Sequence, residues 1–468
     1  MRFGRLERRG VLLGLSMGQV SLVSVGVVIL VLAEYGSAMA GVLITAPLWA
    51  AFFVVGLVSV RGRALVSWLP VVGHWMLRRM LRRTQWLSRP LQPDRGGSVS
   101  IPGLQRHLEL LISDATGAAY LADRQAGTVT AIVEVTGRGF VLADSALQDH
   151  RVGAWGRVLA SLCQQPDVVR LQVLHRTGPC GAASVRRWWA TNAMTGAPWA
   201  SRLMADLIAD AELSADRQQC LIAVAIRCPG LRPEHAYETR ALDQLLVTLA
   251  SVLAAAELDV RGWLPPARLR HVVRSAYDPK GASLADPHAA APTPGSPWVG
   301  AMAASESWDS LQTDSAHHAV YWIEEWPRSD VHPGFLQPLT LSPGARRIFT
   351  LLVEPVPASK AFREIRRAKV ERAADAAQRS RIGRIEDEAT RAEAADLVRR
   401  EQDLVAGHGD MRFVGLVTVS ANTRDELAAA CRATETAAAQ AMCELRLLAG
   451  QQGQAFAAAA LPLARELL

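Results

Sequence analysis

Lysine is nearly absent: only Lys280, Lys360 and Lys369 occur in 468 residues, and Asn192 and Asn422 are the only asparagines. A phosphate loop of the G-K-[ST] kind needs a lysine to reach the β/γ-phosphates. Lys280 precedes Gly281, Lys360 stands between Ser359 and Ala361, and Lys369 between Ala368 and Val370, so the chain has no such loop. Cysteine is also scarce. Cys163, Cys180, Cys220, Cys228, Cys431 and Cys443 form no C-x-x-C pair and keep no metal-ligand rhythm with histidine, the pattern of reduced, buried thiols. A dinucleotide fingerprint is missing as well, because the run Gly137-Arg138-Gly139 finds no third glycine by Leu142. Neighbouring residues on a strand face opposite ways, which separates His317 from His318 and Glu324 from Glu325. No catalytic, cofactor or metal site is expected.

Positive charge is almost all arginine, and with the abundant alanine it points to a GC-rich bacterial genome. It is unevenly spread, +9 over residues 1–95 and −2 over the rest. Val11–Ala33 and Ala38–Val60 contain no charged residue, each long enough for the about 20 residues that cross a bilayer. They predict a transmembrane hairpin, with spans about 17–34 and 38–60, turning at Glu34-Tyr35-Gly36-Ser37. Ser16-Met17-Gly18-Gln19 has capping-box spacing, so a first helix starting near Met17 is expected, with Phe3–Leu15 along the interface. Arg2, Arg5, Arg8 and Arg9 on one side and Arg61, Arg63, Arg78, Arg79, Arg82 and Arg83 on the other predict both ends in the cytoplasm. Ala64–Thr84 pairs arginines with Leu65, Trp68, Val72, Trp75 and Met76, a basic amphipathic helix for an anionic lipid surface or for a protein face. Gly14-Leu15-Ser16-Met17-Gly18 spells a nucleophile elbow, but it leads into an apolar span and not into a sheet. Ala38-Met39-Ala40 resembles a cleavage site, yet a second apolar stretch follows it.

Past residue 95, strands are expected at Gly127–Val135, Val168–His175, Cys220–Arg227, Ala319–Glu325, Arg347–Val353 and Arg412–Val419. Helices are expected at Leu147–Gln164, Ala183–Leu213, Tyr237–Leu258, Ala358–Gln402 (one or two) and Asp425–Leu448. The proline-rich stretch Pro279–Pro297 reads as a linker. The fold class is therefore α/β or α+β cytoplasmic domains on an N-terminal two-helix transmembrane hairpin: residues 1–95 for the membrane, 98–278, a linker 279–297, and 298–468. Trp188-Trp189 suits core packing better than base stacking, and the −2 balance gives little pull on phosphates, so no nucleic-acid partner is expected.

Three stretches resemble known families. Arg8-Arg9-Gly10 and Gly14-Leu15-Ser16 ahead of an apolar hairpin are similar to PrgI-type subunits of type IV secretion and conjugation systems. His150–Arg176 resembles the EccE-like domain of actinobacterial type VII secretion, whose members also carry two N-terminal spans. Tyr321–Pro327, Gly334-Phe335-Leu336, Val353-Glu354-Pro355, the arginine-rich helix, Gln454-Ala455-Phe456 and Leu461-Pro462 resemble the N-terminal domain of conjugation ATPases, here without a motor domain. The resemblances imply an inner-membrane adaptor of a type IV-like or type VII-like apparatus, not an enzyme. Its partners would be the lipid bilayer, other membrane subunits of the complex and a separately encoded ATPase, and homo-oligomerisation stays open. Arg363, Arg366 and Arg367 are the expected docking residues, with the surface around Tyr321–Pro327 beside them. A membrane-anchored enzyme with an unrecognised site is the alternative. The missing phosphate loop predicts that the purified chain does not hydrolyse ATP; turnover by homogeneous protein that survives replacement of all three lysines would contradict it.

Overall fold

The computed structural model describes residues 17–60, 63–88, 98–99, 101–102, 104, 108–137, 139–179, 189–193, 198–211, 216–228, 236–284, 300–327, 331–341, 346–382 and 388–465. They fall into two units divided between Thr84 and Gln85.

In the N-terminal unit the apolar sequence is helical over Met17–Leu57. Gln19 Nε2 donates to Gly56 O at 2.9 Å. A straight helix rising about 1.5 Å per residue would hold these residues some ~55 Å apart, so the chain doubles back. Glycines let the arms meet: a Cβ on Gly56 would lie 2.9 Å from Val23 Cγ2, and one on Gly26 3.3 Å from Phe52 Cβ. Met17–Gly36 is the one helix among the described residues long and apolar enough to cross a membrane, by length and composition. The second arm, Gly41–Leu57, is shorter than the stretch 38–60 suggested, because Ser59–Val60 (β1) leaves the helix to pair with Arg63–Ala64 (β2). The basic segment is also shorter than expected. A 3₁₀ turn occupies Leu65–Trp68, Pro70 opens the helix Leu69–Met80, and Arg82, at φ 53°, lies just past its end. Arg78 is buried, Arg79 stacks over Trp75, and Arg79, Arg82 and Arg83 are exposed. Ser16 and the segment Phe3–Leu15 lie outside the described residues.

The second unit is built on one antiparallel sheet of fourteen strands. They are β3 (Gln85–Leu87), β4 (Ser98–Val99), β5 (Leu108–Ile112), β6 (Ala119–Asp123), β7 (Thr128–Thr136), β8 (Val168–Pro179), β9 (Asp216–Arg227), β10 (Asp259–Trp263), β11 (Ala303–Glu306), β12 (Leu311–Gln312), β13 (His317–Glu325), β14 (Arg346–Val356), β15 (Asp410–Ala421) and β16 (Glu444–Leu447). Their order is β3-β11-β12-β13-β15-β14-β8-β9-β7-β6-β5-β4, with β10 also on β7 and β16 also on β13.

That order contains the same module twice. β7, the helix Ser145–Cys163, β8, β9, the helix Ala236–Ala255 and β10 lie as β10-β7-β9-β8. β13, the short helix Gln337–Thr340, β14, β15, the helix Arg424–Gln440 and β16 lie as β16-β13-β15-β14. Each is a β-α-β-β-α-β unit of strand order 4-1-3-2, the ferredoxin-like arrangement. A hairpin precedes each unit (β5-β6 and β11-β12), and a helix follows each (Pro266–Tyr277 and Gln452–Ala460). Matching bonds mark the repeat: Leu264 N donates to Ile132 O at 2.9 Å, and Leu448 N to Val320 O at 3.0 Å. Each module also carries helical outgrowths between its second and third strands, Pro198–Ala211 in the first and Ala358–Ile382 with Glu388–Val405 in the second.

The modules join where β8 and β14 pair antiparallel, Leu171–Arg176 against Val353–Ile348. Side chains alternate across the sheet: Leu221, Ala223 and Ala225 of β9 enter one core, Ile222, Val224 and Ile226 the other. The first core spans both modules under the helices Pro266–Tyr277 and Gln452–Ala460. On the opposite face there are two cores, one per module, the first of which crosses the seam to take in Val353 of β14 with Met411 and Phe413 of β15 beside it. Three fully buried polar side chains fix the last helix. Gln172 Nε2 donates to Ala458 O and Leu461 O at 3.0 Å each and its Oε1 accepts from Ala464 N at 2.7 Å. Thr350 donates to Ala459 O at 2.6 Å, and Gln452 Oε1 accepts from Val320 N at 2.9 Å. The small side chains Ala457–Ala460 let this helix lie close on the strands.

Two further expectations, in the second unit, need correction. Asp425–Leu448 is not one helix: it stops at Gln440, and Glu444–Leu447 is β16. Cys443 N reaches Ala438 O and Met442 N reaches Ala439 O around Met442 at φ 55°, a Schellman-type end with methionine where glycine usually sits. Pro279–Leu284, placed in the linker, is a short helix; residues 285–299 lie outside the described residues. Strands from both sides of that stretch belong to the one sheet. Gln172→Leu removes a donor and an acceptor from buried backbone groups that have no water to replace them. It should destabilise the full-length protein by on the order of 3 kcal/mol, read from thermal or denaturant unfolding in detergent; an unchanged midpoint would refute this role.

Candidate functional site

Arg363, Arg366 and Arg367 sit on the first helix of the outgrowth between β14 and β15. Ala361 and Ile365, one turn apart, are buried against Val356 and Leu404, which turns the opposite face outward. Ion pairs complete the helical hairpin: Lys369 with Glu401, Arg372 with Glu393 at 2.9 Å, and Arg412 of β15 with Glu364 at 2.9 Å. Some of the charges therefore staple the hairpin to itself and to the sheet, while others, Lys360, Asp396 and Arg399 among them, lie exposed as the sequence suggested. The three arginines stay outside this network and exposed, with Phe362 and Val370 beside them. Arg367 pairs along the helix with Glu371 at 3.1 Å, whereas Arg363 and Arg366 have no ion partner among the described residues. The result is a convex cationic patch with an apolar margin, able to meet an acidic protein surface and offering no enclosed place for a small substrate.

The surface expected around Tyr321–Pro327 is interior. Tyr321 and Ile323 are buried, Trp322 lies under the Arg446 guanidinium at 4.1 Å, and Glu324 pairs with Arg446 at 2.8 Å. Trp326 does not continue the face of Val320 and Trp322. A register shift between Ile323 and Glu325 sends it to the other core, edge-on to Phe413 at 5.4 Å.

Elsewhere the titratable groups serve the packing. Asp243 Oδ2 accepts from Ser113 at 2.9 Å and its other oxygen from Tyr120, whose hydroxyl burial and the neighbouring carboxylate push well above the usual range. Ser113, Tyr120 and Asp243 are all buried, tying β6 to the helix Ala236–Ala255. His318 faces the opposite side from His317, as strand alternation requires. Thr313 gives its proton to Tyr277 O at 2.6 Å, which leaves its oxygen to accept from His318 Nε2 at 2.8 Å; Nδ1 then accepts from the Ser420 hydroxyl at 2.8 Å. Phe456 lies against the ring at 4.5 Å. Cys163, Cys220, Cys228 and Cys431 are half-buried free thiols and Cys443 is a buried one; Cys180 and Trp188 fall outside the described residues. Among the described residues no group of three or more His, Cys, Asp or Glu side chains is placed to hold a metal ion.

Sequence reading passed over two features. The helix Pro198–Ala211 exposes Trp199, Leu203, Met204 and Leu207. Their spacing was visible, but nothing in it tells an uncovered stripe from a core stripe. Arg347 is 5% exposed, and its Nε and Nη1 meet no partner among the described residues. No family model matches the chain, and no curated protein matches it.

Burial, with the charges of His317 and Arg346, holds His318 down to about 3, against an ordinary 6.5. The unfolded chain thus takes up a proton below about pH 6.5 that the folded chain refuses until about 3. Stability should be whole above that window and fall through it as pH drops, by at most about 1.4 kcal/mol per pH unit. His318→Gln should flatten the fall; an unaltered pH profile of unfolding would show that His318 does not cause it.

Proposed function

We propose that the chain is a non-enzymatic, membrane-anchored adaptor of a secretion or conjugation apparatus, type IV-like or type VII-like, that docks a separately encoded ATPase. The cationic face of the outgrowth Ala358–Ile382 carries this reading: while Glu364, Lys369 and Arg372 of the same helix are held in ion pairs, Arg363 and Arg366 stay exposed without counterions among the described residues. The doubled-back apolar helix is consistent with an anchor of two passes in the inner membrane, its arginine flanks in the cytoplasm. The buried polar groups support the adaptor over the enzyme, since Gln172, Thr350, His318, Tyr120 and Asp243 are occupied in holding helices to the sheet.

Interfaces concentrate binding in a few arginine or aromatic anchors. Reversing Arg363, Arg366 and Arg367 to glutamate should therefore release the ATPase from membranes while the chain stays folded and inserted. Co-purification of the ATPase from the native host, compared for wild type and triple variant, checks this. Unchanged capture by the variant would remove this face as the docking site, and a wild-type chain that captures no ATPase would sink the adaptor reading.

A further inference from the structure

The two modules are alike in topology but unequally covered. On one face the seam between β8 and β14 is sealed, with Leu174, Gln172 and Thr350 fully buried. On the other face Leu171, Val353 and Phe349 are buried, but toward the C-terminal end of β8 Val173, His175 and Thr177, with Cys220 of β9, are only half-buried. The difference follows from helix length: the helix between the first and second strands has 19 residues in the first module, Ser145–Cys163, and 4 in the second, Gln337–Thr340. Cys163 of the long helix reaches Asp410 O on β15, across the seam from its own module. The short one leaves the corresponding strip over β8 and β9 without such a cover.

Arg347 stands beside this strip. It shares a face of β14 with Phe349, opposite Val419 of β15 and one step beyond the last residues that β14 pairs with β8, Ile348 and Arg176. Its side chain is more than nine-tenths buried, two of its nitrogens meet no partner among the described residues, and burial lowers its basicity. A buried guanidinium without a counterion is costly, and a carboxylate is the group that relieves it.

The same chain carries an uncovered helix of complementary design. At about 100° per residue, Trp199, Leu203, Asp206 and Leu207 of Pro198–Ala211 fall on one side of the helix. Trp199 is 72% exposed, and Asp206, also exposed, has no partner among the described residues. Among the side chains described on this helix the two half-buried ones, Ser201 and Ile208, lie on the opposite side of the wheel. The helix therefore keeps that side partly covered and shows its apolar, acid-bearing side outward. To fill its own seam it would have to roll over; a second molecule receives it as it stands.

We propose that a second copy of this chain lays its helix Pro198–Ala211 into the half-open seam beside β8, so that Asp206 pairs with Arg347, and that the reciprocal exchange closes a two-fold dimer. Such an interface is isologous, each copy giving one helix and receiving one. It does not depend on the adaptor reading, because no ATPase takes part.

The test uses the full-length protein in detergent, its mass measured across a dilution series. A dimer is expected, and Asp206→Arg, at an exposed position that the fold does not need, should raise its dissociation constant about tenfold or more. The paired exchange Asp206→Arg with Arg347→Asp should restore the dimer. Differently tagged copies, one with Thr177→Cys and one with Leu207→Cys in a background free of native cysteine, should cross-link to each other. A monomeric wild type, or a dimer indifferent to Asp206→Arg, overturns the proposal. So does a disulfide that forms only when both cysteines are in one chain, which would mean that the helix folds onto its own seam.

Discussion

The antiparallel pairing of β8 with β14 is the constraint on which the second unit rests. Each is the second strand of its module and lies at that module's edge, so either module alone would present a row of unpaired backbone groups. Pairing removes both edges at once and creates one continuous surface for the helices that follow the modules. Those helices are then held from both sides of the seam. Gln172 of the first module holds the last helix of the second, while Thr313, ahead of β13, donates to the last carbonyl of Pro266–Tyr277. The helices meet at Tyr277 and Phe456, ring centres 5.1 Å apart and both rings fully buried. Breaking the seam would expose polar groups that have no other partner, so the two modules should unfold as one body.

A duplicated module need not be duplicated in detail, and the departures from the two-fold lie where this chain meets its surroundings. The first module spends its length on a long covering helix. The second reduces that element to four residues and lengthens the opposite connection into a helical hairpin. Both changes leave the sheet order intact: a four-residue helix still carries the chain past β15 from β13 to β14, and the connection between the neighbouring strands β14 and β15 lengthens at little entropic cost once they are paired. The sheet is therefore the fixed part, and the outgrowths are the part free to carry a partner's contacts.

The central strands were legible because burial on both faces writes near-continuous apolar runs, as in Cys220–Ile226 or Ile348–Val353. The repeat was not, since equivalent positions such as Ile132 and Val320 share only an apolar character and a hydrogen-bond role. β16 was hidden by Met442, which takes the left-handed conformation where a glycine would have announced the helix end, and β10 by the register shift at Gly262. The arginine-rich helix was expected to carry exposed charge, and the structure leaves Arg363, Arg366 and Arg367 exposed. Arg347 could not, because it stands next to Arg346 and strand alternation says that one turns inward without saying which. The charge-free N-terminal stretches were equally plain, but charge marks where a helix may run and not where it ends. The β1-β2 ribbon takes Ser59 and Val60 from the second arm.

The outgrowth Ala358–Val405 also differs from the sheet in what holds it. Its own core is small, with Ala361, Ile365 and Leu404 on Val356, and the remainder of its fixing comes from ion pairs such as Arg372 with Glu393 and Lys369 with Glu401. Partly exposed pairs of this kind contribute little individually and are weakened by salt. Few buried apolar contacts put an element at the low end of local stability. The hairpin should open long before the sheet beneath it, with Pro357 and the β14 end acting as its fixed root. Such an element can adjust its shape to a partner while the seam below stays rigid, and a partner that binds the closed hairpin would steady it by mass action. The exposed arginines thus lie on an element less firmly held than the strands beneath it.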